Sequence, residues 1–175
     1  MCGIAGIVAP HPGQDRRLAI VDLSPTGHQP MVDATGRYVL SFNGEIFNHR
    51  ELRRQLEADG QVPEGGWRGR SDTETLLAAI AGWGLEAAVR RCVGMFAFAL
   101  WNRRDRVLSL VRDRFGEKPL YYGMAGRDLV FGSEPKALRA HPDARWEVSR
   151  DALRLLAART YIPAPLSIYR GAFKL

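Results

Sequence analysis

Cys2 is the residue with the clearest capacity for chemistry, because it directly follows Met1. Initiator methionine is normally removed when the next side chain is small, and its removal would leave a thiol and a free α-amine on one residue. An α-amine titrates at about 7.7–8.0, so near neutral pH part of it can accept the thiol proton. The other interpretation is a small buried apolar residue near a chain end. The Met-Cys pair alone favours that structural interpretation.

A second polar group follows the apolar run from Tyr38 to Asn43. At the predicted end of this strand, the Asn43 side-chain amide and the Gly44 backbone N–H could stabilise a developing oxyanion. An Asn-Gly pair by itself is equally typical of a plain turn. Further along, Ser71 to Glu74 reads Ser-Asp-Thr-Glu, a capping-box pattern that predicts the start of a helix.

The motifs around Cys2, Asn43 and Ser71 follow one another in the same order as in a known family. The start MCGIAGI, the stretch FNGEIFNH from Phe42 to His49 and the Ser71 to Glu74 segment resemble the class II glutamine amidotransferases, which are N-terminal-nucleophile hydrolases. Glu45 after Asn-Gly, with the NHREL continuation, resembles the asparagine synthetase branch of that family. Further matching segments cover nearly the whole chain: Arg17 to Asp22, Gly94 to Leu100, Arg112 to Gly116, Lys118 to Tyr122, and Ser133 to Leu138.

The resemblance implies hydrolysis of glutamine to glutamate and ammonia through a γ-glutamyl thioester. Cys2 would be the nucleophile, its own α-amine the proton shuttle, and Asn43 with Gly44 the oxyanion hole. Each member of such a hole typically lowers the barrier by roughly 2.7–4 kcal/mol. We therefore expect Cys2, Asn43 and Gly44 to be the catalytic residues.

The resemblance also implies how free glutamine is bound. Arg17 would hold its α-carboxylate, since a guanidinium matches a carboxylate bidentately. Glu45 and Asp72 would receive its α-ammonium, and Asp72 could serve in helix capping at the same time. Arg16 is the less favoured arginine, because the family's arginine directly precedes the Leu-x-Ile-Val strand. No metal ligand and no cofactor is expected in this domain.

The composition excludes several classes of protein. The chain has 175 residues, of which 46% are hydrophobic and 25% charged, as in soluble globular proteins. The longest apolar run, Val93 to Trp101, is far shorter than the roughly 18 residues of a membrane span. Two cysteines, Cys2 and Cys92, provide neither a disulfide framework nor a zinc cluster. We expect a cytoplasmic protein without membrane association.

The net charge of +6 raises the question of nucleic acid binding. Of 25 basic residues three are lysines, which leaves 25 − 3 = 22 arginines, and these are spread along the whole chain. A solvated arginine-rich surface is the favoured interpretation, so no nucleic acid partner is expected. Salt-dependent binding to duplex DNA would support the alternative.

Hairpin-linked strands with helices between them predict an α+β fold. The strands are predicted in Gly3 to Val8, Arg17 to Asp22, Tyr38 to Asn43, Met95 to Trp101, Arg106 to Arg112, Leu120 to Gly123 and Asp128 to Gly132. The helices are predicted in Asn48 to Gly60, from Ser71, in Leu85 to Val93, in Glu134 to Ala140 and in Asp151 to Arg159. The resemblance implies the four-layer αββα N-terminal-nucleophile hydrolase fold, with two stacked antiparallel sheets.

Two features separate the sequence from complete members of the family. Residues 10–15 join the first strand to the arginine almost directly, where family members carry a longer His-Arg-Gly-Pro-Asp segment that covers the glutamine pocket. That shortening supports the alternative of a catalytically inert glutamine-binding or structural module of the same fold. The chain also lacks the SGGxDS loop of an ATP-using synthetase half.

We therefore expect residues 1–160 to form a type 2 glutamine amidotransferase domain and residues 161–175 to lead towards an ATP-dependent synthetase domain. The expected activity is the glutaminase half of a glutamine-hydrolysing asparagine synthase. The synthetase domain would use ATP and Mg to convert aspartate to asparagine with the ammonia. Glutamine and that domain are the expected partners, and a homodimer is left open.

Overall fold

A computed structural model describes residues 3–8, 16–17 and 28–175. The strands are β1 (Ile4–Val8), β2 (Arg16–Arg17), β3 (Met31–Val32), β4 (Tyr38–Ile46), β5 (Gly94–Asn102), β6 (Val107–Arg112), β7 (Tyr121–Ala125), β8 (Asp128–Gly132) and β9 (Ala172–Lys174). The helices are α1 (His49–Ala58), α2 (Asp72–Trp83), α3 (Leu85–Arg91), α4 (Pro135–Arg139) and α5 (Arg150–Arg159). Two antiparallel sheets with interspersed helices confirm the predicted α+β class.

The described residues divide into two compact units. The first contains β1 and the segment Pro119–Leu175, and its five-stranded sheet has the order β2-β1-β8-β7-β9. Its small hydrophobic core includes Val130, Leu138 and Ala172, which are at most 2% exposed. Strand β9 pairs with β7 in this sheet. That residues 161–175 lead towards another domain stays a prediction.

The second unit comprises the described part of Arg17–Lys118 and contains a four-stranded sheet of order β3-β4-β5-β6. Leu52 and Leu56, four residues apart on one face of α1, are both buried, as their spacing predicts. They join a core cluster that includes Phe42 and Ile46 of β4 and Ile80 of α2. This cluster attaches α1 and α2 to β4, the strand that carries the predicted oxyanion residues.

The prediction that Gly44 ends the third apolar strand is wrong. Strand β4 continues to Ile46, and its antiparallel register with β5 is unbroken from Tyr38 to the Ile46–Gly94 pair. Gly44 has φ +155°, and a Cβ built on it would lie 2.2 Å from the Met95 carbonyl oxygen. Gly44 therefore does not form a turn; its missing side chain lets β4 and β5 approach closely. The oxyanion residues therefore lie within a strand that is paired on one side.

The other predicted elements agree with the structure to within a few residues, with one exception outside the described part. Only Arg16–Arg17 of the predicted Arg17 to Asp22 strand is described, because residues 18–27 lie outside the described ranges. Within those ranges no helix has both the length and the apolar character to cross a membrane. Strand β3 was not predicted, since two residues are too short for a periodic signal.

Asp113 organises the turn that follows β6. Its carboxylate accepts hydrogen bonds of 3.0–3.2 Å from four backbone N–H groups, those of Phe96, Phe115, Glu117 and Lys118. Burial acts to raise the pKa of Asp113, but these donors outweigh burial and lower the pKa below its ordinary 3.8. These contacts order the turn that follows β6.

Because the folded pKa of Asp113 is lowered, its carboxylate contributes stability above the ordinary value of 3.8 and loses it as pH falls through the lower folded value. Asp113→Asn should reduce the free energy of unfolding at pH 7 by about 1–3 kcal/mol, since part of the acceptor set is lost. The gap between wild type and variant in urea unfolding should close below pH 4. Asp151→Asn, at an exposed residue, should cause a smaller change; a gap that stays constant with pH would contradict this account.

Candidate active site

Four of the six predicted site residues lie in the described part of the chain, and all four belong to the second unit. Asn43, Gly44 and Glu45 are consecutive in β4, and Asp72 is the first residue of α2. Cys2 lies outside the described residues, and so does the side chain of Arg17. The structure therefore tests how the four are placed among themselves, and the positions of Cys2 and Arg17 stay predictions.

Asn43 and Glu45 lie on one face of β4, because side chains alternate along a strand. The opposite face carries Phe42 and Ile46, which belong to the core cluster. Asn43 is 2% exposed, whereas Glu45 is exposed. A buried amide next to an exposed carboxylate suits an oxyanion donor in a dry environment with a charged group at the margin.

Asp72 is bound directly to the end of β4. One carboxylate oxygen accepts a hydrogen bond of 2.9 Å from the Ile46 backbone N–H, one residue beyond Glu45. The other accepts a bond of 2.8 Å from the Thr73 N–H. Each carboxylate oxygen can accept a further donor, so these contacts leave Asp72 able to bind an ammonium. The structure thus brings Asp72 beside the Asn43–Glu45 stretch, although 26 residues separate it from Ile46.

The start of α2 is held as the capping pattern predicts, but Glu74 has a different partner set. The Ser71 hydroxyl oxygen accepts a hydrogen bond of 3.2 Å from the Glu74 N–H. The Glu74 carboxylate accepts bonds from the backbone N–H groups of Arg68 and Gly69 and pairs with Arg53 at 3.3 Å. It is 7% exposed. Glu74 therefore fixes the glycine-rich loop of residues 60–69 against the start of α2. Because Asp72 is the first residue of α2, these bonds also hold Asp72 in place.

Gln29 is a residue near the site that the sequence analysis missed. It is 8% exposed, and its side-chain amide bonds both to β4, at Phe42, and to α2, at Thr73. A glutamine between turn residues and a short strand gives no local signal of such a role. Only its contacts 13 and 44 residues away reveal it.

A cavity of about 220 Å³ lies elsewhere in the second unit, between the glycine-rich loop and the later turns of α2. Its walls include Val62, Leu77 and Ala81, and none of the four described site residues lines it. Its polar lining includes Asp33 and Glu74, whose carboxylates are already bonded within the protein, together with Thr35, Gln61, Glu64 and Arg68. The cavity is therefore separate from the candidate site.

Comparisons with known proteins identify the family of this chain. The glutamine amidotransferase domain family matches residues 11–175. Asparagine synthetase [glutamine-hydrolyzing] 1 of Bacillus subtilis is 41% identical over 154 residues, which are 87% of this chain and 23% of that protein. A putative asparagine synthetase of the same type from Methanocaldococcus jannaschii is 33% identical over 175 residues, covering 91% of this chain and 32% of the relative.

The solved structure of glutamine phosphoribosylpyrophosphate amidotransferase from B. subtilis matches with a TM-score of 0.55 and 22% identity, over 78% of this chain and 36% of that one. This likeness shows the fold. The chain spans only 23% and 32% of the length of the two asparagine synthetases. A family match that runs from residue 11 to residue 175 nevertheless covers every described strand except β1. By its sequence, the chain belongs to the glutamine amidotransferase domain family.

Proposed function

We propose that this chain hydrolyses glutamine to glutamate and ammonia, with Cys2 as the nucleophile. The observation that supports the proposal most strongly is the placement of buried Asn43 beside Gly44, with the Asp72 carboxylate bound to the same strand at Ile46. These are the groups that glutamine hydrolysis requires: donors for an oxyanion and a carboxylate for the α-ammonium. Membership of the amidotransferase family agrees with this chemistry.

In the proposed mechanism the Cys2 thiol gives its proton to the free α-amine of the same residue. The thiolate attacks the side-chain amide carbon of glutamine, and the Asn43 amide and Gly44 N–H donate hydrogen bonds to the resulting oxyanion. The α-ammonium of Cys2 protonates the departing nitrogen, so ammonia leaves and a γ-glutamyl thioester forms. Water then hydrolyses the thioester, which releases glutamate and restores the thiol. Side chains, backbone and water supply every group in this scheme.

Substrate binding in this proposal separates the two charged ends of glutamine. Arg17 would bind the α-carboxylate, and Asp72 with Glu45 would bind the α-ammonium. The exposure of Glu45 and the partial exposure of Asp72 agree with contact to a ligand arriving from solvent. Binding at both ends holds the side-chain amide in one orientation for attack.

The ammonia would serve an ATP- and Mg-dependent synthetase domain that converts aspartate to asparagine. The similarity to two glutamine-hydrolysing asparagine synthetases supports this proposal, as does the share of their length that this chain covers. We propose a cytoplasmic location, since a thiol nucleophile persists in a reducing compartment. The proposals of aspartate as the ammonia acceptor and of a cytoplasmic location do not affect the hydrolytic step. Either can be wrong while the proposal of glutamine hydrolysis stands.

Asn43→Ala tests the oxyanion assignment. We expect kcat for glutamine hydrolysis to fall about 10²- to 10³-fold with a much smaller change in KM, because the lost donor acts on the transition state. Steady-state assays of glutamate release measure both quantities. Ser41→Ala is the matched control, since Ser41 is also buried and lies two residues away on the same face of β4.

The control should retain wild-type kcat. A variant Asn43→Ala with unchanged kcat would contradict the assignment, and so would an equal loss in Ser41→Ala. An inactive wild-type chain that still binds glutamine would favour the alternative of an inert glutamine-binding module.

A further inference from the structure

Two separate side chains fix the edge of β4 on either side of the proposed oxyanion residues. The side-chain oxygen Oε1 of Gln29 accepts a hydrogen bond of 2.7 Å from the Phe42 N–H. The Asp72 carboxylate accepts one of 2.9 Å from the Ile46 N–H. Phe42 and Ile46 are four residues apart, so these bonds bracket the stretch from Asn43 to Glu45.

The two anchors are themselves joined through Thr73. The side-chain nitrogen Nε2 of Gln29 donates a hydrogen bond of 3.2 Å to the Thr73 hydroxyl oxygen. That hydroxyl lies 3.4 Å from a carboxylate oxygen of Asp72, and the same oxygen accepts from the Thr73 N–H. Gln29 and Thr73 are 8% and 4% exposed. Water therefore competes little for these bonds, and a lost partner leaves a buried polar group unsatisfied.

The position of the Gly44 N–H follows from the alternation of a strand. Successive N–H groups point to opposite edges, and the Phe47 N–H bonds to the Val93 carbonyl oxygen on the β5 side. The N–H groups of Phe42, Gly44 and Ile46 therefore point to the other edge. The pairing of β3 with β4 ends at Leu40, before this stretch. The Gly44 N–H thus lies between two anchored neighbours at an edge that β3 does not pair.

We propose that Gln29, acting through Phe42 and Thr73, is a positioning residue that aims the Gly44 N–H at the oxyanion. The proposal rests on the proposed function for the identity of the oxyanion. Gln29 suits the task because one side chain accepts from the strand and donates to the helix. A backbone donor has no rotamer to adjust, so its direction depends on how the strand on both sides of it is held.

Four substitutions separate positioning from general stability. Gln29→Met keeps the length of the side chain and removes both hydrogen bonds. Thr73→Val keeps the shape and removes the hydroxyl, whereas Thr73→Ser restores the hydroxyl. Ile80→Val is the control, because Ile80 is fully buried in the same helix as Thr73.

In glutaminase assays, Gln29→Met and Thr73→Val should each lower kcat about 10- to 100-fold, less than removal of an oxyanion donor. KM should change by less than about threefold, because glutamine binding in the ground state does not use the oxyanion donors. The γ-aldehyde analogue of glutamine forms a tetrahedral adduct with a thiol, and its inhibition constant should rise by the same factor as kcat falls. Thr73→Ser and Ile80→Val should stay near wild type in all three quantities. An unchanged kcat in both Gln29→Met and Thr73→Val, or an equal loss in Ile80→Val, would overturn the proposal.

A second readout does not require turnover. Amide NMR of the full chain should show faster hydrogen exchange at Phe42 and a shifted Gly44 resonance in Gln29→Met and in Thr73→Val, but not in Thr73→Ser. If the variants show these NMR changes but the wild-type chain hydrolyses no glutamine, the proposed function is refuted and the positioning of Gly44 by Gln29 is supported. Unchanged Phe42 and Gly44 signals in both variants would refute the positioning whatever the activity.

Discussion

Cys2→Ala is expected to abolish the release of glutamate from glutamine, with a loss of at least about 10⁴-fold, because covalent catalysis cannot begin without the sulfur. The loss should affect kcat far more than binding, since the oxyanion donors and the charged ends of the pocket remain. An assay of glutamate formation at saturating glutamine measures the effect. The variant should still bind glutamine in a calorimetric titration.

Cys92→Ala is the matched control for this prediction. The Cys92 thiol donates a hydrogen bond of 3.2 Å to the Ala88 carbonyl oxygen at the end of α3. Burial raises the pKa of Cys92 to about 11, so this sulfur stays protonated at neutral pH and cannot act as a thiolate. Cys92→Ala should therefore retain activity. Unchanged glutamate release in Cys2→Ala, or a comparable loss in Cys92→Ala, would show that the nucleophile has been misassigned.

Gly44→Ala is expected to give the largest loss of stability among single-methyl additions to the second unit. Its Cβ would lie 2.2 Å from the Met95 carbonyl oxygen and 2.6 Å from the Phe96 Cα, both of them backbone atoms. Strain at φ +155° and overpacking each cost about 1–3 kcal/mol, so the free energy of unfolding should fall by roughly 2–6 kcal/mol. Glutaminase activity should be lost as well, because β4 can accommodate the methyl group only by moving the Gly44 N–H.

Gly36→Ala separates the steric effect from the backbone effect. Gly36 also has a positive φ, +73°, but a Cβ there meets nothing within 4 Å. Its cost should be limited to about 1–2 kcal/mol, and activity should persist. Urea unfolding of both variants measures the difference. Equal stability of the two variants would contradict the close approach of β4 and β5 at Gly44.

The sequence predicts most elements of the fold, because its apolar periods and turn residues are local signals. Leu52 and Leu56 predict the buried face of α1, and Ser71 predicts the start of α2. The end of β4 was mispredicted at Gly44, because glycine is the usual signal of a turn. Here glycine is required because β5 packs too closely for a Cβ, and β5 lies about 50 residues further along the chain.

The site could be predicted only in part. Asn43, Gly44 and Asp72 are predicted by resemblance, and in the structure Asp72 of α2 is bound to the end of the strand that carries the other two. Gln29 could not be identified, since its hydrogen bonds to Phe42 and Thr73 exist only in the folded chain. Sequence patterns report local periodicity, whereas the network that holds this strand edge joins residues far apart in the chain.

Intact-mass and peptide analysis after reaction with an electrophilic glutamine analogue tests the nucleophile assignment most directly. We expect one equivalent of label on a polypeptide that has lost Met1, located on the sulfur of its new N-terminal residue and reduced by competing glutamine. The chain with Met1 retained should react at least about 100-fold more slowly, since its α-nitrogen is an amide and no longer a base. Label located on Cys92, or equal reaction with and without Met1, would contradict an N-terminal thiol nucleophile.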